Sequence, residues 1–511
     1  MTFYSILFES PEDRLGDGAL EAPLFFPDLN CDQFVDDVTD GREEYNLKPF
    51  FYACLRRVDA IKYRHEVMQD LENVPLFERV NSFARQMREL REHLVRAQKL
   101  YYKEQKQAWF LNAIEIYCET IKSLADDLSN ANLKSRGFLG FRDYLRSYAH
   151  SVGFTSLMSE TKGLTADLSS IKYCVLIKGS GFTVRQYNFE FDYSTDVEET
   201  FEKFKQGGVK DYKATFADSD DMNHIEAKIL EFVARLHPEV FFALDKYCTR
   251  NINFLDKFVA AFDREIHFYL AYQDYAAALE STGLYFCYPS ISDKSKEVYN
   301  YDGFDIALAH KRIKEHSTIV CNDFFLKGNE RILVISGPNQ GGKTTFARTF
   351  GQLHYLASIG FPVPGRSAQL LLFDNLFTHF EREEKVDNLR GKLEDDLVRI
   401  HDILNRVTSR SIIIMNEIFT STTLKDEIYL STKVMESVIT LDLLCVWVTF
   451  IDELASFGPQ TVSMVSTVVP ENPALRTFKI VRQAADGLAY AMAIAQKYRL
   501  TYDCIKERIK S

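Results

Sequence analysis

Apolar positions between residues 48 and 164 recur every three to four residues. Cys54, Leu55, Val58, Ile61, Met68 and Leu71 form one such stripe, the period that gathers side chains on one face of an α-helix. Pro75 interrupts it. From Val80 to about Asp126 there is neither proline nor glycine, which predicts one helix long enough to serve as a rod or lever. The period then changes. Ile171–Lys178 and Thr183–Tyr193 are rich in β-branched and aromatic residues and flank Gly179-Ser180-Gly181, a β-hairpin pattern. Asp192–Asp220 is acidic and loop-like, with a break at Gly207-Gly208. Helical texture returns from Asn223 to about Thr282, so a small β insertion interrupts a helical rod that goes out and comes back.

Gly283–Lys327 is a transition zone of short strands and turns. From Arg331 onward strands alternate with helices. The candidate strands are Arg331–Ser336, Gln369–Phe373, Ser411–Glu417, Leu443–Phe450, Thr461–Val469 and Phe478–Val481, which predicts an α/β domain on a largely parallel sheet. Residues 1–45 carry turn signals at Pro11, Gly16-Asp17-Gly18, Pro23 and Pro27 and read as a short irregular or small β-containing lead-in. The expected organisation is multidomain α and α/β: a lead-in at 1–45, a helical core and lever at 46–300 with a clamp-like insertion at about 168–220, and an α/β domain at 301–511.

Composition adds exclusions. The 511 residues are 46% hydrophobic and 26% charged, the balance of a soluble globular protein. No apolar run approaches the roughly 20 residues a bilayer span needs. The start, Met1-Thr2-Phe3-Tyr4, lacks the basic-then-apolar pattern of a signal peptide. Nine cysteines are scattered without a CxxC pair, which favours reduced thiols and a cytoplasmic setting over a disulfide framework or zinc site. The net charge of −12 gives no whole-chain attraction to nucleic acid, so any grip on DNA must come from local basic patches.

Gly337-Pro338-Asn339-Gln340-Gly341-Gly342-Lys343-Thr344 matches the phosphate-binding pattern G-x-x-x-x-G-K-[ST], with a predicted strand before it and a helix-compatible segment after it. Glycines let backbone amides curl around phosphate oxygens without a Cβ in the way, and the following helix presents its N-terminus to the anion. In such a P-loop Lys343 reaches the β- and γ-phosphates and the Thr344 hydroxyl ligates Mg²⁺. Ser411-Ile412-Ile413-Ile414-Met415-Asn416-Glu417 is the second element expected, an apolar strand ending in polar residues. Glu417 is positioned to polarise water as the catalytic base. Asn416 stands where an aspartate usually helps hold magnesium through water; its amide still accepts a hydrogen bond but carries no charge.

The Gly-Pro-Asn-x-Gly-Gly-Lys form of the loop, running on to Thr345, resembles the MutS family. Asn322-Asp323 upstream is similar to the family's segment near the adenine. Thr422 and Asp426 are similar to its polar loop after the strand that ends in Glu417. Tyr490–Arg508 is similar to its closing helical segment. Phe50–Glu72 resembles the opening of its helical core. The resemblance implies an ABC-type P-loop ATPase that binds ATP and Mg²⁺ through residues 337–345, with Thr344 and Asn416 on the metal and Glu417 catalytic. It also implies a homodimer whose levers and clamp engage DNA in repair or recombination. Three positions depart from the family. Gly391-Lys392-Leu393-Glu394 falls where its Ser-Thr-Phe-Met signature completes a partner's site, Phe450 follows Thr449 where it has a histidine, and Asn416 replaces its aspartate. The 45 residues before the core are too few for the family's mismatch-reading and connector domains, so direct mismatch recognition is not expected. Two other readings stay open: a nucleotide-gated factor for a protein or ribonucleoprotein, and a pseudo-ATPase with structural ATP.

Weaker patterns complete the reading. Arg85, Arg88, Arg96, Lys99, Lys103 and Lys106 fall near one helical stripe, but interleaved Glu89, Glu92 and Glu104 favour a solvated face with ion pairs. Lys172, Lys178 and Arg185 could touch a DNA backbone from the hairpin, although Glu190, Asp192, Asp196, Glu198 and Glu199 follow. His379, Glu381, Glu383 and Glu384 read as a polar loop more readily than as a metal site. Glu394, Asp395 and Asp396 fit either a second acidic contribution to magnesium or a helix N-terminus.

Overall fold

The computed structural model describes residues 3–13, 21–179, 181–189, 222–381, 391–469, 471–485, 500–502 and 505–506. The helical part matches its periodicity except in one respect. The rod predicted from Val80 to Asp126 folds back on itself as two helices, Val74–Lys99 and Lys103–Asn130. Leu100 and Tyr102 between them are extended, at ψ 156° and 133°. Arg79 near the start of the first helix donates to Asp127 O near the end of the second at 3.1 Å, and His93 meets the Trp109 ring near the bend at 4.6 Å. Folding back lets Val80, Phe83, Met87 and Leu90 share one buried cluster with Leu111, Ile114, Ile121 and Leu124. A single rod would leave those stripes unpaired, and burying such side chains is worth about 1.5–3 kcal/mol each.

Side-chain caps start the helices around this hairpin. Asn73 accepts from Leu76 N–H, with Pro75 in the first turn. Ser135 and Ser151 cap Arg136–Ala149 and Val152–Ser170. Asn223 and Glu226 form a capping box at His224–Leu236, and Asp256 caps Lys257–Glu280. Each cap satisfies N–H groups that have no partner inside the helix. The predicted hairpin forms from Tyr173–Lys178 and Gly181–Gln186, paired antiparallel. Residues 190–221, with the acidic stretch, lie outside the described residues.

The lead-in is more ordered than its turn signals suggest. Phe26–Leu29 and Cys31–Thr39 are helical, and no strand forms among the described residues before Tyr173. Phe34, Val35 and Val38 supply the buried face of the second helix. The same region grips the helix Lys343–Ser358: the Phe26 ring packs on Tyr355 at 5.1 Å, and Gln352 Nε2 donates to Leu29 O at 2.8 Å. Arg64, wholly buried, donates to Leu7 O at 3.1 Å and Ile359 O at 2.7 Å. One apolar cluster therefore runs from Phe3 through the helices to Ile480.

The C-terminal part is built on a six-stranded sheet in the order Leu376–Phe380, Ile412–Asn416, Leu444–Val448, Ile332–Ser336, Thr461–Val469, Asn472–Arg482. The first five strands run parallel and the last is antiparallel. Ile332–Ser336, Ile412–Asn416 and Leu444–Val448 are buried along their whole length, as continuous apolar strands in parallel sheets are. The strand expected at Gln369–Phe373 forms as Ser367–Leu371, but in a separate four-stranded sheet with Ser290–Ser292, Val298–Gly303 and Asn322–Leu326. Leu376–Phe380, which the sequence reading did not mark as a strand, takes the outer position beside Ile412–Asn416.

Candidate functional site

Ile332–Ser336 lies between two parallel neighbours, so its C-terminal end opens over the sheet edge where ligands bind in open α/β folds. There the chain turns through residues 337–342 into the helix Lys343–Ser358. Gly342, at φ 91°, precedes the first turn. The loop rests on the next strand. Buried Ser466 donates from Oγ to Gly341 O at 2.7 Å, and a Cβ at position 341 would overlap that hydroxyl. Arg476 Nε donates to Asn339 O at 3.1 Å.

Lys343 is 4% exposed. Its Nζ donates to Gly337 O and Pro338 O, both at 3.1 Å, lies 3.8 Å from Glu417 Oε1, and sits 4.2 Å from the centre of the Phe450 ring. Burial pushes the Lys343 ammonium below its ordinary range, with Glu417 opposing that shift and Arg476 adding to it. Burial likewise pushes the Glu417 carboxyl up; Lys343 opposes and Glu381 reinforces. Glu417 holds a left-handed φ of 54°, rare for a residue with a side chain, and its N–H donates to Val448 O at 2.9 Å. Thr344 Oγ1 donates to Asn416 Oδ1 at 2.9 Å. The predicted residues of the loop, Lys343, Thr344, Asn416 and Glu417 thus meet at one place.

A cleft of about 790 Å³ opens there. Asn339–Phe346 and Glu417 line it together with apolar Phe304, Leu308, Ile319, Val320 and Phe478 and polar Asp305, Arg312, His316, Ser317 and Thr318. The cleft therefore combines loop amides, a helix N-terminus and the Lys343 ammonium with a mixed apolar and polar lining. Its size is that of small-molecule sites. Asn322 lines the cleft and holds the last strand in place, donating to Phe478 O at 3.1 Å and accepting from Ile480 N–H at 2.8 Å. Its neighbour Asp323 instead accepts from Asp302 N–H at 2.7 Å. Ser466, Arg476, Phe478, Phe304 and Leu308 were not legible as site residues, because they come from separate strands and helices with no motif linking them.

Other candidates fall elsewhere. His379 lies within the outer strand, not after it, and is buried with Nε2 3.1 Å from Asp396 Oδ1; burial lowers its pKa, with Asp396 opposing. Glu381 pairs with Lys392. Glu383 and Glu384 lie outside the described residues. Among the described residues no group of three His, Cys, Asp or Glu is placed to hold a metal. Gly391 is the N-cap of Lys392–Leu404, and Glu394 and Asp395 occupy its first turn. Thr423 caps Leu424–Leu441, its Oγ1 accepting from Asp426 N–H at 3.3 Å and donating to Asp426 Oδ2 at 2.8 Å. In the basic stripe, Arg88 pairs with Glu44 at 2.9 Å, Lys103 with Asp245 at 2.7 Å, and Arg96 stacks over Trp109 at 4.5 Å, which favours the ion-paired face. Lys172, Lys178 and Arg185 are exposed on the hairpin. Every described cysteine is free. No described helix is long and apolar enough to cross a membrane. Tyr490–Arg508 lies mostly outside the described residues.

Residues 333–509 match the family model for MutS domain V. DNA mismatch repair protein MutS of Thermotoga maritima is 28% identical over 211 residues, which is 40% of this chain and 26% of that protein. Endonuclease MutS2 of Bacillus velezensis is 27% identical over 173 residues, 34% of this chain and 22% of that protein. DNA mismatch repair protein MutS of Exiguobacterium sp. is 22% identical over 410 residues, 74% of this chain and 46% of that protein. The chain thus spans from under a quarter to just under half the length of these relatives. The C-terminal third of this chain, residues 333–509, is thus similar to domain V of the MutS family, and the relatives it resembles are MutS and MutS2 proteins.

Proposed function

We propose that the protein is an ATP-binding MutS-like protein that couples nucleotide occupancy to engagement of DNA in repair or recombination. The observation that carries this reading is the placement of Lys343 in the lining of the cleft, 3.1 Å from Gly337 O and Pro338 O and 3.8 Å from Glu417. A triphosphate seated there meets the amides of residues 339–345 and the helix N-terminus, and Lys343 exchanges two carbonyls for phosphate oxygens. The nucleoside occupies the rest of the cleft, lined by Phe304 and Leu308 together with Asp305, Arg312 and His316. Glu417 stands on the strand end as the group that takes a proton from attacking water. Burial raises its pKa, which makes the ionised carboxylate a stronger base than an exposed glutamate. Residues 301–511 then form the nucleotide domain of a homodimer, residues 46–300 the helical core and lever with its hairpin insertion, and residues 1–45 a brace on the P-loop helix. ATP binding biases lever and hairpin between two states through differential contacts.

A second reading keeps the nucleotide and replaces DNA by a protein or ribonucleoprotein. The net charge of −12 and the internal pairing of Arg88 and Lys103 favour it. ATP binding and phosphate release, measured with homoduplex, mismatched and branched DNA at two salt concentrations, separate the two. Stimulation by one DNA structure, weakening with salt as phosphate contacts demand, is expected. Nucleotide binding with no response to any DNA would leave the second reading, and binding without phosphate release would leave structural ATP.

A further inference from the structure

Magnesium is the cation that MutS-family ATPases use with ATP, and the described residues around Thr344 supply little to hold it. Magnesium takes oxygen ligands in near-octahedral geometry and leans on carboxylates as well as phosphates for its charge. Among the described residues, the Thr344 hydroxyl has the Asn416 amide as its side-chain hydrogen-bond partner, and no group of three His, Cys, Asp or Glu is placed to hold a metal. The hydroxyl gives its proton to Asn416 Oδ1 at 2.9 Å, and Asn416 is 8% exposed at a buried strand end. The next carboxylate along the chain, Glu417, faces Lys343 at 3.8 Å. Glu381 is paired with Lys392, and Asp396 lies against His379. The set does not fit a strong magnesium site.

We infer that this cleft takes its nucleotide without depending on magnesium, with Asn416 serving as a neutral hydrogen-bond partner that orients Thr344. Lys343, the loop amides and the helix N-terminus then carry the phosphate charge. A carboxylate at position 416 would do two things that the amide does not. It would add negative charge beside an unscreened triphosphate, and it would supply the missing anion for a divalent cation. The inference rests on the nucleotide-binding reading above.

The test measures the affinity of the full chain for a fluorescent ATP analogue, in excess magnesium and in excess chelator, for the natural protein and for Asn416→Asp. The natural protein should bind within about threefold in the two buffers. Asn416→Asp should bind about tenfold or more weakly in chelator and recover in magnesium. A loss of about tenfold or more when magnesium is removed from the natural protein would overturn the inference. So would an Asn416→Asp protein, shown folded by its melting curve, whose ratio between the buffers equals that of the natural one. Should that variant not fold, the ratio for the natural protein decides alone. Absence of binding in both buffers would overturn the nucleotide reading itself, a result distinct from either.

Discussion

Gly341→Ala probes whether the loop owes its shape to packing on Ser466. A Cβ at position 341 would overlap the Ser466 hydroxyl, lie 3.0 Å from Pro338 O and approach Ser466 Cβ to 3.2 Å. Neither neighbour can swing away like a long side chain. Pro338 O is backbone, and Ser466 is buried with its hydroxyl donating to Gly341 O at 2.7 Å. Displacing that hydroxyl costs about 1 kcal/mol of hydrogen bonding, and forcing a methyl into a packed site costs about 1–3 kcal/mol. The loop relieves the overlap in the free protein by lifting off the strand, and phosphate must press it back. About 2–4 kcal/mol charged to binding, at 1.4 kcal/mol per tenfold, is a loss of about 30-fold or more in affinity. Binding of a fluorescent ATP analogue should be measured for the natural protein, Gly341→Ala, Ser466→Gly and the double variant. Ser466→Gly removes the hydroxyl and its Cβ together, so the double variant should regain most of the loss. The reasoning fails if Gly341→Ala binds within about threefold of the natural protein, or if the double variant is no better than Gly341→Ala.

Lys343→Ala should abolish measurable nucleotide binding, since it removes the buried ammonium at the loop; tight binding by the variant would refute the assignment. Glu417→Gln should stop phosphate release without weakening ATP binding, and turnover at the natural rate would place the base elsewhere. Burial raises the Glu417 carboxyl and only its ionised form accepts a proton, so any hydrolysis should climb with pH through a range above that of an ordinary glutamate. A flat profile there would remove Glu417 from the rate. Arg64→Ala leaves Leu7 O and Ile359 O without donors inside the core and should destabilise by about 3–5 kcal/mol; an unchanged denaturation profile would show that this brace contributes nothing.

What the chain announces without its fold is whatever depends on neighbours in sequence. Gly337–Thr344 needs a run of backbone that curls inward, and its glycines and Lys343 sit within eight consecutive positions. The strands Ile332–Ser336, Ile412–Asn416 and Leu444–Val448 are buried on both faces, so their apolar runs were legible, and with them the positions of Asn416 and Glu417. One helix start was legible at Asn223, while the cap at Asp256 appears only in the structure. Tertiary structure decided the rest. The bend at residues 100–102 carries no proline or glycine, because it is driven by two apolar stripes that bury each other, a long-range gain that no local signal encodes. Ser367–Leu371 has strand texture, yet which sheet it joins depends on partners at Val298–Gly303 and Ser290–Ser292. Ser466 supports the loop from 125 residues away, and Phe304, Leu308 and Phe478 reach the cleft from separate stretches of the chain. Local chemistry is written in adjacent residues. The surface that gives it a shape comes from contacts between distant ones, where a small polar or apolar residue reads the same whether it lines a site or fills a core.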